Sequence, residues 1–190
     1  QEPRGQLHVV SSFGLGRRHV GPALSELSHR YPALDIRFDM FDRLVDLIEE
    51  GYDLDIRIGD HIAPNLIAKL LANNARVLCA SPEYLQRHGE PRTLAELAGH
   101  ECLVIKERAH PFGLWRLQGP QGEESVKVTG ALSANHGEVV HQWGIDGRGI
   151  LLRSQWDVRE SLENGKLVHI LQDYRQQANI WAVYAAPLAN

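Results

Sequence analysis

Between Leu7 and Gly59 the apolar residues switch repeatedly between a period of two and helical spacing. Leu7 and Val9 alternate with polar neighbours and the run ends at Ser11-Ser12, which predicts a strand. Gly14-Leu15-Gly16 breaks the pattern. Val20, Ala23, Leu24 and Leu27 then recur at helical spacing, with Pro22 tolerable in a first turn and Tyr31-Pro32 as the stop. Leu34, Ile36 and Phe38 alternate as a second strand. Leu44, Val45, Leu47 and Ile48 predict a short amphipathic helix closed by Gly51. "YDLDIRIG" places Leu54, Ile56 and Ile58 on one face of a third strand. Strand, helix, strand, helix, strand predicts a parallel sheet with right-handed crossovers, so the fold class is α/β.

The remainder is read the same way. "LIAKLL" and "RVLCAS" predict two strands, in series across a boundary or antiparallel. A short helix follows Ser81-Pro82, and Thr93-Leu-Ala-Glu96 has the capping-box pattern of another. Glu101 to Ile105 predicts a strand, and Trp115 to Leu117 with Val126 to Leu132 flank the turn-rich "QGPQGEE" as a hairpin. "SANHGEVVHQWGIDGRGI" predicts a helix opened by Asn135 and His136. Ile150 to Leu152 is the next strand, Ser154-x-x-Asp157 begins a helix, and the last strands cover 167–170 and 179–185. That is two α/β halves, with crossings near 76–81 and 173–179. The last strand ends so near the chain end that a trimmed C-terminus is expected.

Composition narrows the function classes. A chain of 190 residues, 43% hydrophobic and 23% charged, can bury a core without staples. A net charge of −4 with interspersed signs does not suit a nucleic-acid-gripping surface. No apolar run is long enough to span a bilayer, and no signal peptide is visible. Cys79 and Cys102 lie far apart in apolar runs and read as buried thiols. A cytoplasmic protein is expected. There is no nucleophile elbow, zincin or P-loop motif, and "GLGRRH" lacks the third glycine of a dinucleotide fingerprint. His136 and His141 fall about 140° apart on a helix, which does not let them share a metal. No catalytic residue, metal or cofactor is therefore expected.

In a parallel α/β sheet, ligands bind outside the carboxyl ends of strands. Polar groups fall there at Ser11 and Ser12, at Gly59 and Asp60, and at Asn135 and His136. Helix starts have unpaired N–H groups and partial positive charge, which attract anions. The same residue types are also ordinary caps, and both readings stand. Trp115 either walls a pocket or packs in a core or subunit contact. Trp143 reads as helix packing or interface, and Arg153 either faces a cleft or pairs with Asp157.

Taken in order, "PRGQLHVVSSFG", "PALSELSHRYPALDIRF", "LVDLIEEGYDLDIRIG", "VLCASPEYLQRHGEPRTLAELAGHECLV", "VTGALSANHGEVVHQWGIDGRGILL" and "LENGKLVHIL" resemble the effector-binding domain of LysR-type transcriptional regulators. The resemblance covers nearly the whole chain, and the fourth stretch is its most specific part. It departs from the family pattern at His136 and Leu152. It implies two Rossmann-like lobes joined by two crossover strands, as in type 2 periplasmic binding proteins. Lobe I would cover 1–76 with 179–190 returning to it, and lobe II 77–178. A small organic-acid effector would sit in the interlobe cleft and shift lobe closure and oligomer geometry. Its implied contacts are Ser12, Phe13, Gly14, Arg57, Ile58, Gly59, Asn135 and His136; the strand-end reading adds Ser11 and the pocket-wall reading Trp115. The resemblance further implies a homodimer, and a tetramer in the full-length protein, built from the helices near 20–27 and 137–146. DNA would be bound only through an N-terminal winged helix-turn-helix domain absent from this chain. The alternative is a periplasmic solute-binding protein of the same fold; an enzyme on a similar bilobal fold would need a catalytic cluster that the sequence does not show.

Overall fold

The computed structural model describes residues 2–105 and 113–186. They divide into two compact units: residues up to Asn73 with those from Asn179 onward, and Asn74–Ala178.

In the first unit, strand β1 (Gly5–Ser11) leads into helix α1 (Phe13–Leu15), a π-turn (Gly16–Val20) and helix α2 (Gly21–Arg30) without a break. The strand alternation ends before Gly14-Leu15-Gly16, as expected, and these residues are already helical. Gly16 has ordinary helical angles (φ −61°, ψ −50°), and its missing side chain lets the helix lie on the sheet. A Cβ there would stand 2.6 Å from Ser11 Oγ and 2.7 Å from Met40 Sδ. The π-turn also accommodates Pro22. Gly21 N–H bonds back to the Gly16 carbonyl, so one widened turn precedes a residue that has no N–H to offer.

Strand β2 (Leu34–Met40) pairs parallel with β1. The helix expected over 44–48 is instead a single turn at 47–51. Asp46 Oδ1 accepts from Glu49 N (3.1 Å), Glu50 Oε2 accepts from Asp46 N (2.9 Å), and Gly51 closes the turn at φ +79°. The two side-chain bonds are N-terminal capping bonds that start the turn at Asp46. Gly51 N–H to the Ile48 carbonyl and Tyr52 N–H to the Leu47 carbonyl end it one turn later, so the helix does not propagate. Strand β3 (Leu54–Ile58) runs parallel to β1. Leu54, Ile56 and Ile58 do share a face, but they are half-buried; the fully buried face carries Asp55 and Arg57. Strand β4 (Leu66–Ala72) completes this stretch.

The second unit is built on β5 (Ala75–Ala80), buried at every position. Such a strand does not alternate because both its faces are covered. Val77 and Cys79 join one apolar cluster, with Val140, Leu151 and Val158. Leu78 and Ala80 join another, with Tyr84, Trp115 and Leu152. Helix α3 (Pro82–His88) is capped by Ser81, whose Oγ accepts from Tyr84 N at 3.0 Å. Thr93 does cap the next segment, which is a 3-10 helix (Leu94–Gly99). Strand β6 (Val104–Ile105) is followed by the hairpin of β7 (Leu114–Gly119) and β8 (Gly122–Lys127). Then come β9 (Ser133–Ala134), α4 (Gly137–Ile145), β10 (Leu151–Ser154), α5 (Gln155–Glu163), β11 (Val168–His169) and β12 (Gln176–Gln177). Strands β10, β11 and β12 all pair with β5, antiparallel.

Ser154 stands at the start of α5 but makes no capping bond there. Its Oγ accepts from Asn74 Nδ2 (3.1 Å) instead, and the same amide donates to the Ala178 carbonyl (3.0 Å), tying the two ends of the unit together. The chain then returns to the first unit as β13 (Ile180–Ala185), antiparallel between β3 and β4. The first sheet has the order β2-β1-β3-β13-β4.

Candidate functional site

In the first unit, the register Ser11↔Ile56 sets the carboxyl ends of neighbouring parallel strands β1 and β3 side by side. Ser11 to Gly14 and Arg57 to Gly59 therefore emerge at the same end of the sheet, beyond two of its interior strands. This is where a parallel α/β sheet offers ligand contacts. Ser11 is wholly buried and its Oγ donates to the Ser12 carbonyl at 2.9 Å. Ser12 has extended angles (φ −73°, ψ 166°) at the start of α1, yet its hydroxyl makes no capping bond. Ser12 is therefore not a side-chain cap. Phe13 is half-buried and Gly14 is buried.

Arg57 is tightly committed within this unit. Nε and Nη2 donate to Asp55 Oδ2 at 3.1 and 2.8 Å, and Nη1 donates to the His61 carbonyl at 3.2 Å. It thereby fixes the loop after β3. Gly59 has φ +113°, a conformation that favours glycine, and its N–H donates to the Asn179 carbonyl at 2.9 Å. Next to it, Asp60 Oδ1 accepts from Trp181 Nε1 at 2.7 Å. Ile58 is half-buried and pairs with Ile180.

In the second unit, Asn135 is exposed and His136 is half-buried at the start of α4. His136 acts as the cap, its Nδ1 accepting from Glu138 N at 3.2 Å. The Asn135 side chain stands beside a helix start, whose N–H groups favour negative charge. Trp115 is not brought beside them. It is 7% exposed and packs with Leu78, Ala80 and Leu152, residues on the face of β5 and β10 opposite to the one that α4 covers. Of its two readings, core packing describes its surroundings. Trp143 packs on the other cluster from α4.

One group of residues was open or unseen in the sequence. Arg153 turns inward: its Nε donates to Asp157 Oδ2 at 2.9 Å, with both side chains almost wholly buried. His141 Nδ1 lies 3.3 Å from Asp157 Oδ1, and its Nε2 lies 2.8 Å from Ser161 Oγ. Burial pushes the Asp157 carboxyl up, but the His141 bond and the Arg153 charge outweigh it and carry it down to about 2. Carboxylate, imidazole and hydroxyl stand in the order of a nucleophilic triad. Ser161, however, is 6% exposed and lies within α5, so its hydroxyl is turned to the imidazole and away from solvent. The signal for this network was the pair of charges at 153 and 157, four residues apart across the β10–α5 junction in the apolar stretch "LLRSQWDV".

Among the described residues there is no group of three or more metal-ligating side chains. No described helix is long and apolar enough to cross a membrane.

Comparison with known proteins fits this arrangement. The chain is 59% identical over 189 residues to the HTH-type transcriptional regulator DmlR of Escherichia coli K12, covering 100% of this chain and 62% of that protein. It is 53% identical over 186 residues to the HTH-type transcriptional activator TtdR of the same strain, covering 98% and 60%. It thus spans less than two thirds of the length of both relatives. It superposes with a TM-score of 0.83 and 28% identity on the full-length Vibrio cholerae virulence activator AphB, a member of the LTTR family, covering 98% of this chain and 63% of that one. The family profile described as the LysR substrate binding domain matches residues 1–187. The chain belongs to the LysR substrate-binding-domain family.

Proposed function

We propose that this chain is the effector-sensing portion of a longer LysR-type transcriptional regulator. The observation that carries the reading is whole-chain identity of 59% to a transcriptional regulator of which the chain spans only 62%. The rest of such a protein would supply the winged helix-turn-helix that grips DNA, consistent with a net charge of −4 here. The relatives are HTH-type regulators, which does not favour the exported solute-binding alternative.

The effector in this reading is a small organic acid. In the first unit Ser11, Ser12, Phe13 and Gly14 with Arg57, Ile58 and Gly59 are candidate contacts for such an acid; in the second, Asn135 and His136 are. Support comes from a Ser12 hydroxyl not spent on capping and from the carboxyl ends of β1 and β3 lying side by side. Trp115, which packs in the core, is left to packing. The effector acts by population shift: it binds one conformation of the chain better and so biases a homodimer, or a tetramer in the full-length protein, toward one geometry. The protein is cytoplasmic in this reading and takes neither cofactor nor metal.

The test is a titration of the chain with succinate, glutarate, benzoate and salicylate, followed by tryptophan fluorescence and melting temperature. Saturable binding that weakens in Ser12→Ala and Asn135→Ala is expected. Binding of none of these acids, or binding indifferent to both substitutions, would remove the site.

A further inference from the structure

Helix α4 rests on one buried ion pair at two successive turns. At its first residue, Gly137, an added Cβ would collide with Arg153 Cζ, Nη1 and Nη2 alike, so the guanidinium presents its face to the glycine. One turn later, His141 bonds to Asp157, the carboxylate that holds Arg153. Ser161 fixes the far side of the same imidazole at 2.8 Å. Arg153 and Asp157 are 4% and 1% exposed.

A pair buried this deeply costs desolvation that its attraction does not reliably recover, so stability is a poor reason for its presence. What it does supply is a fixed position. The guanidinium is planar, and its Nε bond to Asp157 sets the plane's orientation. Gly137 can approach that plane only because it lacks a side chain. Asn135 and His136 immediately precede Gly137 on a short connection from β9.

We infer that Arg153 is a positioning residue for the effector contacts at Asn135 and His136, acting through Gly137. This rests on the effector reading above. Arg153 touches no effector in this account. It sets the height and rotation of the first turn of α4, and Asp157, His141 and Ser161 hold it there.

The experiment compares dissociation constants of the whole chain for the tightest of the four acids. It uses wild type, Gly137→Ala, the paired change Arg153→Met with Asp157→Asn, and the triple variant. Circular dichroism and melting curves establish that each is folded at the temperature used. Gly137→Ala is expected to weaken binding at least tenfold, and so is the paired change. Adding Gly137→Ala to the paired change is expected to weaken it by less than a further threefold, because the group it would strike is gone. A merely structural role would lower melting temperature while leaving these constants within twofold, and that result overturns the inference. Independent multiplication of the two effects overturns it too. Should the paired variant not fold, Arg153→Lys carries the same comparison: it keeps the charge, loses the plane, and should relieve the Gly137→Ala penalty. Absence of binding by wild type defeats the effector reading and this inference with it, whereas binding by wild type with unchanged variants defeats only the role of Arg153.

Discussion

Arg57 donates to Asp55 from both Nε and Nη2, at 3.1 and 2.8 Å, from two residues further along the same buried face of β3. Asp55 is wholly buried. Removing the guanidinium takes two charge-assisted hydrogen bonds from a buried carboxylate, and breaking a buried pair from one side typically costs about 3–5 kcal/mol. Arg57→Leu is therefore expected to lower the urea midpoint strongly. Asp55→Leu with Arg57→Leu should cost much less, since no lone charge remains. Equal losses in the single and paired variants would show that the interaction is not electrostatic.

Ser12 and His136 both stand at helix starts, but only His136 caps. Ser12→Ala should change stability by less than about 0.5 kcal/mol, because it removes no capping bond. His136→Ala removes the acceptor of Glu138 N and should cost about 1 kcal/mol, the usual worth of a cap. Equilibrium denaturation of the two variants decides the point. A loss near 1 kcal/mol in Ser12→Ala would mean that its hydroxyl supports the fold after all.

His169, on β11, has a buried Nε2 with no hydrogen-bond partner among the described residues. Burial holds its pKa below the ordinary 6.5. The folded chain therefore binds fewer protons here than the unfolded chain, and stability falls as pH drops from above 6.5 toward the lowered native value. Melting temperature measured from pH 7.5 to 5 should decline, and His169→Gln should flatten that decline. An unchanged slope in the variant would remove His169 as the cause.

Asp157 extends the acid dependence to lower pH. Its pKa is about 2 in the fold against an ordinary 3.8. A depressed carboxyl contributes stability that is present above about pH 4 and lost as pH falls through about 2, on the order of 2 kcal/mol. Carbon-detected titration of the Asp157 carboxyl should show no inflection between pH 5 and 3. A midpoint near 4 would mean that Arg153 and His141 do not hold it as described.

Cys79 and Cys102 are both wholly buried, and burial raises each thiol to about 12. The thiolate is the reactive form, so neither should react with iodoacetamide at pH 8 while the chain is folded. Mass spectrometry should find both modified only in denaturant. Rapid alkylation of either under native conditions would show that its apolar cluster opens readily.

Much of the fold was legible because it follows from local rules. The alternation at Leu7–Val9 and Leu34–Phe38, the cap at Ser81 and the turn residues between β7 and β8 each act over a few neighbouring residues. In the sequence the glycine at 16 marks only the end of the strand pattern, and the close approach of Ser11 and Met40 shows why one is required there. Over 44–48 the apolar spacing was right for a helix, but Asp46 caps it late and Gly51 stops it one turn on.

The candidate site divides along the same line. That hydroxyl, amide and imidazole groups gather at strand ends and helix starts can be read from residue order, because strand direction and helix polarity are properties of the backbone. Which of them is free cannot. Ser12 and His136 look alike as caps until the helix geometry assigns the bond to one of them. Ser154 looks like a cap until Asn74, distant in sequence, takes its hydroxyl. Arg153 had two directions open to it, and Asp157, His141 and Gly137 together leave it one. Periodicity records which way a side chain alternates; partners are decided by distances between residues far apart along the chain, and those exist only once the units are packed.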